Sequence, residues 1–255
     1  MSVSLKKDTK KDSEEKNSEA SSREANAREG VGKENKIYTQ RFSEKEQATR
    51  EATWKVLCED FFSKYVSKES TVIDVGAGDS LFLKNILAKR KIAVDLSEHV
   101  LELEDIGVEV HKCLISDVTK KLSKSADIVF MSNFLEHLPS KKILLEVIED
   151  AKKLLKDDGK LLILQPNIRY VGSAYWDYID HHIAITEHSL VEALEVSGYK
   201  VDELIPRFLP YTSKSKVGAI AGFLDPEKLA KNYLKFPILW KFFGAQAFVV
   251  ASKAV

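Results

Sequence analysis

The chain is poor in the residues that staple, break or anchor a polypeptide. Two cysteines in 255 residues, Cys58 and Cys113, are too few for a disulfide framework and lie in no metal-ligand spacing. They point to a reducing cytoplasm as the expected location. No apolar run reaches the length of a membrane span, and Lys6-Lys7 is followed by no apolar stretch that would make a leader. Charge of one sign is lacking as well: 39 Lys+Arg balance 39 Asp+Glu, which leaves no overall footprint for nucleic acid or an anionic membrane. No internal repeat is evident. The first 36 residues contain no aromatic side chain and almost no large apolar one. They cannot offset the entropy of ordering, so 1–36 is expected to be a disordered polar tail ahead of one domain at 37–255.

What is present centres on one stretch. Val72-Ile73-Asp74-Val75 is a short β-branched run that breaks into Gly76-Ala77-Gly78-Asp79-Ser80 and continues as Leu81-Phe82-Leu83-Lys84-Asn85-Ile86-Leu87. That order predicts a buried strand, a tight turn and an amphipathic helix, with glycines where a backbone must approach a ligand. A dinucleotide fingerprint would carry its third glycine at position 81, which is leucine. Asp74 at the mouth of the turn would repel a pyrophosphate and attract an ammonium group. A second strand, Lys91 to Val94, ends in Asp95-Leu96, about where a carboxylate would meet ribose hydroxyls.

On Asp74-Val75-Gly76-Ala77-Gly78, Asp95, Ser132-Asn133-Phe134-Leu135-Glu136-His137-Leu138 and Gly159 to Asn167, the chain resembles the class I S-adenosylmethionine-dependent methyltransferases of the small-molecule type. The resemblance runs from about Tyr38 to Ala251 by order of elements. It implies an α/β fold: a doubly wound, Rossmann-like, seven-stranded and mostly parallel sheet with helices on both faces and an antiparallel last strand, Ala245 to Ala251, at the sheet edge. It implies S-adenosylmethionine as cofactor, held by Asp74, Gly76, Gly78, Asp95 and Leu96, with Asp117 on the adenine and Asn133 and Phe134 near the sulfonium. The family often has a third glycine where this chain has Ser80.

Around these motifs the remaining elements can be read in order. Ser43 and Glu46 make a capping box for a helix that lids the nucleotide edge, and Tyr38 and Arg41 stand at its entrance, where Arg41 could reach the cofactor carboxylate. Strands are expected at Gly107 to His111, Asp127 to Met131, Leu161 to Leu164 and Lys200 to Ile205. The long helix with its stripe at Ile143, Leu144, Val147, Ile148, Ala151, Leu154 and Leu155 should stop at a Gly159 cap. A later helix, Leu190 to Val196, should open on a Ser189–Glu192 capping box.

Two segments bear on the acceptor. Tyr175-Trp176-Asp177-Tyr178-Ile179-Asp180-His181-His182 lies where substrate loops are expected. Tyr175 and Trp176 could stack on a ring, and His181 and His182 are the candidate general bases. Adjacent histidines rarely converge on one ion, so no metal is expected. The insertion at 206–244, with Arg207, Tyr211, Lys214, Lys216 and Phe236 to Phe243, is longer than a strand connection needs and reads as a lid with a helix from Pro226 to Leu234. Its aromatic run could be core, a dimer contact or an anchor to a lipid-linked acceptor. The expected function is methyl transfer to a hydroxyl of a small molecule, such as a sugar or glycan precursor. The competing readings are an RNA or protein methyltransferase and a non-catalytic S-adenosylmethionine-binding regulator; oligomeric state is not legible.

Overall fold

A computed structural model describes residues 43–211 and 225–254. The predicted tail, Tyr38, Arg41, Lys214 and Lys216 lie outside them. Seven strands form one sheet in the order β3-β2-β1-β4-β5-β7-β6. They are β1 Thr71–Val75, β2 Arg90–Val94, β3 Glu109–His111, β4 Ala126–Ser132, β5 Leu155–Pro166, β6 Tyr199–Ile205 and β7 Gln246–Lys253. Neighbours from β3 to β5 are parallel, and β7 is antiparallel to both β5 and β6.

The strands read as near-continuous apolar runs because both faces are covered. Alternate residues go to opposite sides. Ile73, Val75, Ile92, Val94, Val129, Met131, Leu161 and Ile163 join one buried cluster. Val72, Ala93, Ile128, Phe130, Leu162 and Leu164 join another. On the first side lie α4 (Lys141–Leu154) and α6 (Glu187–Val196), through Leu144, Val147, Ile148, Ala151, Leu190 and Leu194. On the second lie α1 (Glu44–Asp60), α2 (Leu81–Asn85) and the 3₁₀ segment Glu98–Ile106.

The Ser43–Glu46 capping box forms, with the Ser43 N–H donating to Glu46 Oε2 at 2.8 Å and the Glu46 N–H to Ser43 Oγ at 3.4 Å. Several expectations are corrected. The last strand is not at the edge: β7 sits between β5 and β6, with its first six residues buried, and β6 takes the edge with a mixed face. Gly159 does not cap a helix. The helix ends at Leu154, and Gly159 lies within β5, where an added Cβ would stand 2.8 Å from the Ala126 carbonyl. It is needed for close approach of the backbone where β4 and β5 shift register. Helix α6 starts earlier than expected, capped by Thr186 with Ser189 as its third residue.

The insertion is docked rather than loose over its described part. Phe208 is fully buried and its N–H donates to the Gln246 carbonyl. Helix α7 (Pro226–Lys235) returns Tyr233 Oη to the Phe208 carbonyl at 2.6 Å, and Trp240 of α8 (Ile238–Phe243) donates to the Tyr233 carbonyl at 2.9 Å. The aromatic run therefore divides: Trp240 packs on the core, while Phe236, Ile238, Phe242 and Phe243 are exposed. Among the described residues no helix is long and apolar enough to cross a membrane.

Candidate cofactor and acceptor site

Strand order reverses between β1 and β4, and the crevice outside the carboxyl ends of these strands is where open α/β sheets take ligands. At the end of β1 the chain passes through three left-handed residues, Gly76 (φ 70°), Gly78 (φ 52°) and Ser80 (φ 31°). A Cβ at Gly76 would overlap the Phe134 ring, so glycine serves there both for its conformation and for the approach of Phe134. Ser80 stands where the resemblance led to glycine, in a conformation glycine would adopt more easily. Its hydroxyl offsets that strain twice. Oγ donates to Asp74 Oδ2 at 2.6 Å and accepts the Leu83 N–H at 3.0 Å, capping α2.

Two acids grip this loop from opposite sides. Asp74 is 3% exposed. Burial pushes its carboxyl up to about 8, against the lowering hydrogen bond from Ser80 and with further raising by Asp95 and Asp79. Asp95, at the end of β2, takes the Gly78 N–H on Oδ2 at 2.8 Å and the Ser97 N–H on Oδ1 at 2.6 Å. It pins the turn, and each oxygen keeps lone-pair capacity for a hydroxyl. Leu96 is half-buried beside it. Arg50 of α1 lies 3.7 Å from Asp79, tying the lid helix to the loop; the sequence reading did not single out Arg50, and only the helix phase over the glycines would have pointed to it.

Asp117 is exposed, in the short helix α3 (Ile115–Val118), and its carboxylate accepts the Leu114 N–H at 3.2 Å. After β4, Asn133 takes a left-handed φ of 48° and donates its N–H to the Leu164 carbonyl at 2.9 Å, which turns the chain so that Phe134 closes over Gly76.

Beyond Phe134 the sequence motif and the predicted substrate loop meet. Glu136 is 1% exposed and takes Gln165 Nε2 on Oε2 at 2.9 Å. Burial raises its carboxyl above the usual range, against lowering by His137 and Gln165. The Glu136 carbonyl accepts the N–H groups of His182 and Ile183 at 2.8 and 3.2 Å, which draws the loop onto this motif. His181 is buried, stacked on Tyr178 at 5.4 Å and edge-on to His137 at 5.0 Å. His182 points the other way and is exposed. The predicted histidine pair thus separates, and His137 joins His181 in its place.

One predicted acceptor contact is corrected. Tyr175 is fully buried with Oη on the Ile183 carbonyl at 2.6 Å, so it is core and offers an acceptor no surface. Arg207 donates to the carbonyls of Gly244 and Phe242 at 2.8 and 3.0 Å and lies over the Tyr170 ring, closing the end of α8 with two of its five N–H groups. Trp176 is 50% exposed and can still meet a ligand.

A family model described as a methyltransferase domain matches residues 41–204, well over half of the chain. The chain belongs to this methyltransferase-domain family. S-adenosylmethionine is the cofactor that goes with such a domain, and the cradle fits it: the glycine turn is flanked by the carboxylates of Asp74 and Asp95, which suit an amine and a ribose and would repel a pyrophosphate. Among curated proteins, this chain is 30% identical over 115 residues to the ribosomal protein L11 methyltransferase of Anoxybacillus flavithermus, a match that covers 41% of this chain and only 34% of that protein. A SAM-dependent methyltransferase from Archaeoglobus fulgidus superposes with a TM-score of 0.54 at 21% identity, over 78% of this chain and 92% of that one. The [4+2]-cyclase SpnF shares the fold at a TM-score of 0.52 and 15% identity, over 77% of this chain and 79% of that one. The fold therefore does not decide the acceptor.

Proposed function

We propose that the chain transfers a methyl group from S-adenosylmethionine to a hydroxyl of a small molecule, with sugars and glycan precursors as the first class to test. The observation that carries the reading is the glycine turn held between two acids, Asp74 below and Asp95 beside it, at the strand-order switch. When bound, the cofactor supplies an electrophilic methyl on a sulfonium. In this reading Asp74 takes the amine, Asp95 and Leu96 the ribose side, Asp117 the adenine side, and Asn133 and Phe134 the sulfonium end. Arg41 remains the candidate for the cofactor carboxylate. What the chain itself must do is align an acceptor oxygen and exclude water. The aromatic pair Tyr178 and Tyr211, with rings 5.8 Å apart, supports a ring-bearing acceptor, and His181 is the histidine of the predicted pair that packs on it.

Calorimetry should find binding of S-adenosylmethionine and its demethylated product in preference to NAD. Asp74→Ala and Asp95→Ala should each weaken it by about 1 to 3 kcal/mol through the loss of a charged hydrogen bond. Wild-type affinity in both variants would remove the assignment. Labelled methyl transfer to a panel of hydroxylated small molecules, total RNA and ribosomal protein then identifies the acceptor. Protein methylation is the second reading, favoured by the match to the L11 methyltransferase; label that appears only on protein would replace the small-molecule reading with it.

A further inference from the structure

We propose that Glu136, His137 and His181 form a binding site for one divalent transition-metal ion of the zinc class. Each offers one ligand atom, and these atoms all lie within 4.8 Å of one another. Glu136 Oε1 and His137 Nε2 are 3.8 Å apart, close to the roughly 3.4 Å that separates two ligands held about 2.1 Å from a tetrahedral ion.

The surroundings match what orients metal ligands. His137 Nδ1 is 2.9 Å from the Asp180 carbonyl and 3.4 Å from the Asp180 carboxylate. A carbonyl only accepts, so Nδ1 carries a hydrogen, and Nε2, the other ring nitrogen, lies toward Glu136. That is the second contact by which ligating histidines are fixed in tautomer and direction. The free carboxylate oxygen of Glu136 is aimed the same way, because Gln165 holds the other. The His181 ring is set by the stack with Tyr178 and the edge of Tyr175 at 4.7 Å. Among the described residues this is the one group of histidine and carboxylate side chains so arranged, and two of its three members are buried.

Glu136 is buried, and a carboxylate taken out of water needs a compensating positive charge, which a dication supplies. One carboxylate and two imidazoles suit zinc and its neighbours and disfavour calcium or magnesium, which take oxygen ligands. Three protein ligands leave a coordination position open for water or a hydroxyl. Use of that position by an acceptor rests on the methyl-transfer reading; the site itself does not.

The test is equilibrium dialysis of the full chain, stripped with chelator, against zinc and against cobalt(II), with ion counting and visible spectroscopy. About one ion per chain is expected, with cobalt bands of a low-coordinate nitrogen and oxygen site. His137→Ala, His181→Ala and Glu136→Gln should each weaken binding more than about tenfold, while the surface variants His182→Ala and His188→Ala leave it unchanged. Thermal melts and cofactor titration identify any variant that fails to fold, and the cobalt spectrum of the wild type stands without the variants. Less than half an ion per chain, or binding that persists in both His137→Ala and His181→Ala, would overturn the site. Retained metal with no methyl transfer to any acceptor would leave the site standing and remove the proposed function.

Discussion

Asp74 lies beneath the turn with one hydroxyl on it and two other acids nearby. Its carboxyl has an ordinary value of 3.8 and is pushed up to about 8 in the folded chain. The folded state therefore holds the proton more tightly than the unfolded state. That contribution to stability is fully present below about pH 4 and is lost as pH rises toward 8. Asp74→Asn, which imitates the protonated form, should accordingly melt above the wild type by a margin that widens between about pH 4 and pH 8 and then levels, while cofactor affinity falls. Thermal melts across that range decide it; a margin that shrinks with pH would mean the carboxylate is already compensated. Ser80 admits a sharper trial. Ser80→Ala keeps the left-handed strain and loses both the cap and the bond to Asp74, so a loss of about 1 to 2 kcal/mol is expected by denaturant titration.

At the level of elements, the register shift between β4 and β5 turns on Gly159. Gly159→Ala places a Cβ against the Ala126 carbonyl, and a backbone atom cannot yield as a flexible side chain can. The expected cost is about 1 to 3 kcal/mol in equilibrium unfolding, whereas a glycine acting only as a cap would tolerate the change for less. The sequence located this residue and misread its purpose, because a glycine after an amphipathic helix looks alike whether the chain stops, turns or squeezes past a neighbour. The strand runs, the turn at Gly76 and the Ser43 cap were legible because each depends on residues within a few positions. The pairing of His181 with His137 was not, since it depends on the Glu136 carbonyl drawing in a loop more than forty residues away. Burial of Tyr175 escaped for the same reason: an aromatic in a loop carries no mark of which way it faces.

Across the whole molecule, both faces of the sheet are closed by described residues, α1 and α2 on one side and α4 and α6 on the other. Deleting 1–36 should therefore leave cofactor affinity and melting temperature nearly unchanged; a large loss in either would give the tail a docking role. The order of elements was readable over nearly the whole domain, since alternating apolar strands and helices admit few arrangements. The position of β7 was the exception. Nothing within an apolar run of this kind says whether it takes an edge or an inner place, and burial of six consecutive residues decided for the inner one.

That inner place sets a schedule for folding during synthesis. Among the described residues β6 pairs with no strand except β7, and β7 follows only after the whole insertion. At ribosomal rates of about 5 to 20 residues per second, β6 spends roughly 2 to 10 seconds as an emerged strand with no partner while β5 also presents an open edge. If β1 to β5 pair as they emerge, the β5 edge stays open through that interval to any extended segment that fits. The charged residues Lys200, Asp202 and Glu203 on β6 are the kind that guard such an edge, during synthesis as well as in the finished sheet, where β6 stays outermost.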